Sequence, residues 1–92
     1  GENLAAGFGG GYTILKGVEG WYAEKKDYKV GEKISANFKR LSKIGHYTQM
    51  VWSGTTQIGA GYAVIQKGRM KGGIVIVCNY NPPGNMMGQA PF

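Results

Sequence analysis

The chain has 92 residues, eleven lysines and arginines against five acids, a net charge of +6, one histidine and one cysteine. That length makes one small domain with a modest core. A single cysteine excludes an internal disulfide, and no apolar run reaches the length of a membrane span. Seventeen glycines imply many tight turns and close backbone approaches.

The positive charge is concentrated. Lys25, Lys26, Lys29, Lys33, Lys39, Arg40 and Lys43 form one basic segment, and Lys67, Arg69 and Lys71 a second. Such a surface suits anionic membrane headgroups or acidic polysaccharide, with a solvated basic face as the plainer explanation. Aromatic side chains are not interleaved with the main basic segment, so nucleic acid is not an expected partner.

Residues 1–11, GENLAAGFGGG, read as a short extended piece followed by a loop. Residues 13–27 form the best helix: Ile14, Val18, Trp21 and Tyr22 recur at helical spacing, Leu15 flanks them, and Thr13 is an N-cap. Gly17 and Gly20 each weaken that helix by about 1 kcal/mol relative to alanine, so packing must hold it. At helical geometry Glu24 lies about 60° from Trp21 and about 40° from Tyr28, on the edge of the apolar stripe. A carboxylate there is half-buried and can point into a cleft.

Residues 29–45 show no sustained period and are expected to form a long irregular segment, the kind that binds or covers. Phe38, Leu41 and Ile44 are expected to pin it to the body. Gly45 then allows a turn into a short helix at 47–52. Residues 57–66 and 73–80 read as strands. The first alternates, with Ile58, Ala60, Tyr62 and Val64 on one face; the second, apolar on both faces, belongs at the centre of a sheet. KGRMKG between them is a basic hairpin loop. Cys78, inside the second strand, reads as a small buried hydrophobe. Residues 81–92, with three prolines, read as ordered coil.

His46 is the one side chain whose unperturbed pKa lets its charge change near neutral pH. Taken alone, a histidine followed by an aromatic is more often a structural hydrogen-bonder than a catalyst. No nucleophile stands out: Ser53 lacks an elbow motif, and Cys78 reads as buried. Asn3 and Asn79 read as amides that satisfy loop backbone, and Tyr22, Trp52 and Tyr80 as core or cleft-wall aromatics.

Four segments, GENLA, WYAEKKDY, GHYTQMVW and VCNYNPPGN, stand in the order and rough spacing of the CAP superfamily. The chain therefore resembles the cysteine-rich secretory, venom antigen 5 and plant pathogenesis-related class 1 proteins, over residues 1–92. The resemblance implies an α/β fold, an α-β-α sandwich with a small antiparallel sheet. It implies that these residues are a partial CAP domain lacking the N-terminal helical part. Uncovered apolar surface would then favour self-association or pairing with the missing fragment.

The resemblance also implies a cleft lined by two histidines and two acids. By motif, His46, Glu2 and Glu24 supply three of these, with Asn3, Tyr22, Thr48, Gln49 and Asn79 as cleft support; the other histidine precedes the GEN motif in the family. As a metal set His46, Glu24 and Glu2 are incomplete, since zinc generally takes three or four protein ligands. No cofactor is required on this reading, and zinc or another divalent cation would be weakly held. The function implied is a secreted, non-enzymatic binding module with lipid or sterol as the favoured ligand. The alternatives are a metal-dependent or acid–base hydrolase using the cleft residues, and an interaction or signalling protein whose cleft is a relic.

Overall fold

The computed structural model describes residues 1–92. Thr13 opens the first helix: its side-chain oxygen accepts from Lys16 N at 3.2 Å, and α1 runs Ile14–Ala23. The chain then tightens into a 3-10 turn, Glu24–Asp27, so the expected helix of 13–27 is present but changes pitch at Glu24. Of its apolar stripe only Trp21 is buried; Ile14, Leu15 and Tyr22 are exposed.

The segment expected to be irregular is the largest departure from the sequence reading. A 13-residue helix, α2, runs Phe38–Met50, capped by Asn37, whose side chain accepts from Arg40 N at 3.1 Å. Of the short helix expected at 47–52, residues 47–50 are the last turn of α2 and Val51 and Trp52 lie past its end, while Gly45 lies inside rather than at its start. The buried stripe Ile44, Tyr47 and Thr48 keeps helical spacing. Phe38, expected to pin the segment, is instead 81% exposed, while Ile44 does bury.

Three strands, β1 (Glu2–Gly7), β2 (Gln57–Val64) and β3 (Ile74–Asn81), form an antiparallel sheet in the order β1-β3-β2. The strand apolar on both sides is the central one, as its pattern requires. Both helices lie against one face. Trp21 packs there with Ile76, Cys78 and Tyr80, and Ala5, Tyr12 and Val18 close around them. Cys78 is thus a buried core residue. Gly17 sits where α1 crosses the sheet; a Cβ at that position would stand 2.6 Å from Ile76 Cδ1, so the close approach needs glycine.

The fold is α/β, with one helical layer on the sheet within these residues. Ile58, Ala60, Tyr62 and Val64 do share a face, opposite Tyr80, Cys78, Ile76 and Ile74. The helices stop short of that edge, however, and Ile58 and Tyr62 are each 64% exposed. Residues 82–92 are coil strapped to the body: Ser53 N donates to Pro91 O and Ile34 N to Gln89 O, each at 2.8 Å. No helix is long and apolar enough to cross a membrane.

Candidate functional site

Glu24 ends α1 where the backbone tightens, and that places its carboxylate against the middle of α2. Oε1 accepts from His46 N at 2.9 Å and from Tyr47 N at 3.0 Å, and Oε2 stands 2.8 Å from His46 Nδ1. An ionised carboxylate can only accept, so Nδ1 carries the proton. In the neutral imidazole that leaves the lone pair on Nε2. Trp21 stacks on the other side, its ring 6.1 Å from the imidazole and inclined by 12°. The imidazole is held by a carboxylate oxygen and an indole face, yet remains about two-fifths exposed.

Asn3 ties three elements together under this histidine. Its amide donates to His46 O at 3.1 Å and to Tyr80 Oη at 3.2 Å, and the side chain is buried. Burial pushes the Tyr80 phenol up from its ordinary pKa, against the pull of the Asn3 hydrogen bond. Tyr80 therefore serves as a neutral acceptor for Asn3 at any physiological pH.

His46 opens onto a cleft of about 350 Å³. The α2 wall presents Phe38, Leu41, Ser42 and Gly45, and Glu2, Asn3 and Asn85 face it. The α2 positions recur every three or four residues, which is why they share one wall. Asn85 adopts a left-handed backbone, φ 54°. Its Nδ2 donates to Gly45 O at 3.0 Å and its Oδ1 accepts from Thr48 Oγ1 at 2.6 Å.

The residues expected from sequence divide accordingly. Glu2 and His46 line the cleft, while Glu24 lies behind the histidine and orients it. Thr48 and Gln49 are buried supports: Gln49 accepts from Gly84 N at 2.9 Å and donates to Thr55 Oγ1 at 3.2 Å, holding the coil that carries Asn85. Tyr22 is not a cleft wall. One residue past Trp21 it turns outward, half exposed, with Lys25 Nζ donating to its hydroxyl at 3.2 Å. Asn79 stands opposite Glu2 in the strand pairing but is exposed and lies outside the cleft lining. It falls on the face of β3 opposite Cys78 and Tyr80 because side chains alternate.

Phe38, Leu41, Ser42 and Asn85 are cleft residues that the sequence reading did not assign. The signal for the first three was Asn37 ahead of a period running Leu41, Ile44, Thr48. For Asn85 it was the glycine-asparagine pair, a combination suited to a left-handed turn.

Chemically the cleft offers one oriented imidazole, one carboxylate, the two amides of Asn3 and Asn85, and an apolar wall. His46, Glu24 and Glu2 do not converge as a ligand set: no group of three or more histidine, cysteine, aspartate or glutamate side chains is placed to hold a metal. Three acceptor positions of Glu24 are already used on α2. Ser42, although in the cleft, donates its hydroxyl to Phe38 O at 2.6 Å, so it is not paired with His46.

Comparison with known proteins agrees with this architecture. The model of the CAP, cysteine-rich secretory protein family, matches residues 1–80. Pathogenesis-related protein 1B of Nicotiana tabacum is 40% identical over 92 residues, covering 100% of this chain and 51% of its own length. Salivary antigen-5 of Dipetalogaster maximus is 44% identical over 75 residues, covering 82% of this chain and 27% of its own. Among solved structures, NaASP2 with Zn²⁺ superposes with a TM-score of 0.75 at 29% identity, covering 100% of this chain and 48% of that one. Hookworm platelet inhibitor has the same fold, TM-score 0.75 at 21% identity, over 99% of this chain and 45% of its own. The chain thus spans about half the length of the tobacco relative and of these structures.

Proposed function

We propose that this chain, which belongs to the CAP family of cysteine-rich secretory proteins, is part of an extracellular, non-enzymatic module that binds a lipid or sterol. The observation that carries this reading is the two-sided character of the cleft. Phe38 and Leu41 make an apolar wall on α2, and Glu2, Asn3, His46 and Asn85 give the polar side. An amphiphile suits such a site: its polar end hydrogen-bonds to His46 Nε2 or Glu2, and its apolar part leaves along Leu41 and Phe38. A volume of about 350 Å³ suits the polar end rather than a whole sterol. The extracellular setting is supported by the family's secretory name and by a salivary relative.

Binding of a fluorescent sterol tests this. Leu41→Ser is expected to weaken it at least tenfold, and His46→Ala by less, since the imidazole is one polar contact among several. Sterol binding that is absent, or that Leu41→Ser leaves untouched, removes the reading.

One observation favours a second reading. A carboxylate 2.8 Å from Nδ1 is the arrangement that orients a histidine as general base, here acting on a water. Hydrolysis of an ester or peptide abolished by both His46→Ala and Glu24→Ala would support it over the first. A divalent cation, such as the zinc in the NaASP2 structure, does not fit this chain's own donors as a resident group. Only His46 Nε2 and Glu2 are free in the cleft, short of the three or four ligands zinc takes.

A further inference from the structure

The two most exposed large apolar side chains are Val30, at 86%, and Phe38, at 81%. Phe38 opens α2 and Val30 lies in the turn at 29–32 that precedes it, both within the most basic part of the chain. From position 25 to 43 there are seven cationic side chains and two acids, Asp27 and Glu32. Arg40 occupies one of those acids: its Nε donates to Glu32 Oε2 at 2.6 Å. The remaining lysines have no comparable partner in that segment except Lys25, which bonds Tyr22.

Val30 is not at the tip of a loose loop. Glu32 N donates to Lys29 O at 2.9 Å, closing a four-residue turn in which Gly31 takes a left-handed φ of 85°. A glycine with positive φ at the third position fits a type II turn, and the second residue, Val30, stands exposed on it. Arg40 then fastens the turn to α2, donating from Nη2 to Asp27 O at 2.6 Å as well as to Glu32. Arg40 thus ties the turn that displays Val30 between Lys29 and Lys33 to the first turn of the helix that displays Phe38 ahead of Lys39. Lys39 and Lys43 also border an open notch of about 240 Å³ that has no acidic or apolar lining.

We infer that this end of α2 is a docking surface for a bilayer containing anionic lipid, with Val30 and Phe38 entering the interface and Lys29, Lys33, Lys39 and Lys43 meeting the headgroups. Charge complementarity selects an anionic partner, and the apolar tips select among anionic partners. A polyphosphate or sulfated polysaccharide uses the lysines and leaves Val30 and Phe38 in water. A membrane interface uses both. Docking is read from this surface alone and does not depend on what the cleft binds. The two meet at Phe38, which borders the cleft, so docking would set the cleft mouth at the bilayer.

Sedimentation with vesicles tests the inference on the 92-residue chain. Vesicles of phosphatidylcholine mixed with phosphatidylserine are expected to bind it at least about tenfold more tightly than phosphatidylcholine alone, with binding that weakens as salt rises. The double variant Lys39→Glu/Lys43→Glu should lose at least about tenfold. Val30→Ser, which leaves charge and cleft unchanged, should lose several-fold, and circular dichroism should show it folded because the side chain packs on nothing. Equal binding to both vesicle types overturns the inference. So does unchanged binding by Val30→Ser, or capture by heparin or DNA with none by the anionic vesicles. Sterol binding lost in Leu41→Ser with vesicle binding intact separates this surface from the cleft.

Discussion

Replacing Glu24 tests the site at the point that organises it. Its carboxylate receives three hydrogen bonds from α2, all between 2.8 and 3.0 Å, with the side chain 18% exposed. At about 1 kcal/mol net for each, Glu24→Ala should cost roughly 3 kcal/mol. That is a large part of a small domain's stability, which begins near 5 kcal/mol. At roughly 4–8 °C per kcal/mol for a chain of this size, the melting midpoint should fall by about 12–24 °C. Glu24→Gln should behave differently. The amide oxygen can still accept from His46 N and Tyr47 N, but its NH₂ then meets the protonated Nδ1. Moving the imidazole proton to Nε2 relieves that clash, so the loss should be about 1 kcal/mol with a change of tautomer. Urea unfolding at constant m-value gives the energies, and nitrogen-15 NMR of the single histidine gives the tautomer. The reasoning is refuted if Glu24→Ala lies within about 0.5 kcal/mol of the parent, or if the glutamine variant keeps its proton on Nδ1.

Other positions carry shorter tests. Gly17 and Gly20 lie three residues apart in α1 but face different surroundings. A Cβ at Gly20 meets nothing within 4 Å, so Gly20→Ala should stabilise by about 1 kcal/mol. Gly17→Ala pushes on Ile76 and Tyr12 and should destabilise by about 1–3 kcal/mol in the same thermal melts. Asn3→Leu removes the donor to Tyr80 Oη and His46 O and should cost about 1–3 kcal/mol by urea titration. The Arg40 guanidinium holds the Glu32 carboxyl below its ordinary value of 4.5. Its contribution to stability is therefore full above pH 4.5 and fades as pH falls through the lower folded value. Melts taken down that range should show an acid loss that Glu32→Gln lacks.

What the sequence made legible was mostly what periodicity and motif can carry. The central strand was readable because IVIVC is apolar on both sides, although within these residues the helices cover only the Ile76, Cys78 and Tyr80 face and leave Val75 and Val77 half-buried on the other. Thr13 and the apolar stripe of α1 announced a helix, though not its change of pitch at Glu24, a residue that reads equally well as one more helical position. The failure lay at 38–50. Four of the first six residues of α2 are Lys39, Arg40, Ser42 and Lys43, and Gly45 looked like a boundary. The buried stripe, Ile44, Tyr47 and Thr48, becomes visible only when Asn37 is taken as the cap and Gly45 as interior. In the structure Gly45 stays in the helix, and a Cβ there would come within 3.2 Å of Leu41 Cδ1. Tertiary packing, not local propensity, set that element.

The candidate site shows the same division. Motif matching brought His46, Glu2 and Glu24 to one place but assigned them equal roles, and geometry separates them. Glu24 faces α2 backbone and Nδ1, so it decides which imidazole nitrogen is free. Glu2 faces the cleft, so it can meet whatever His46 meets. Tyr22 and Trp21 exchange parts for the same geometric reason: adjacent helical residues lie about 100° apart, and only one can reach the imidazole. Trp21 reaches it. A residue's presence in a motif therefore fixed its neighbourhood, while its function depends on a direction that only the packing of α1 against α2 supplies. Disturbing that packing should consequently change His46 even where no cleft residue is altered, which is why Gly17→Ala, on the sheet side of α1, is expected to perturb the imidazole NMR signals as well as the melt.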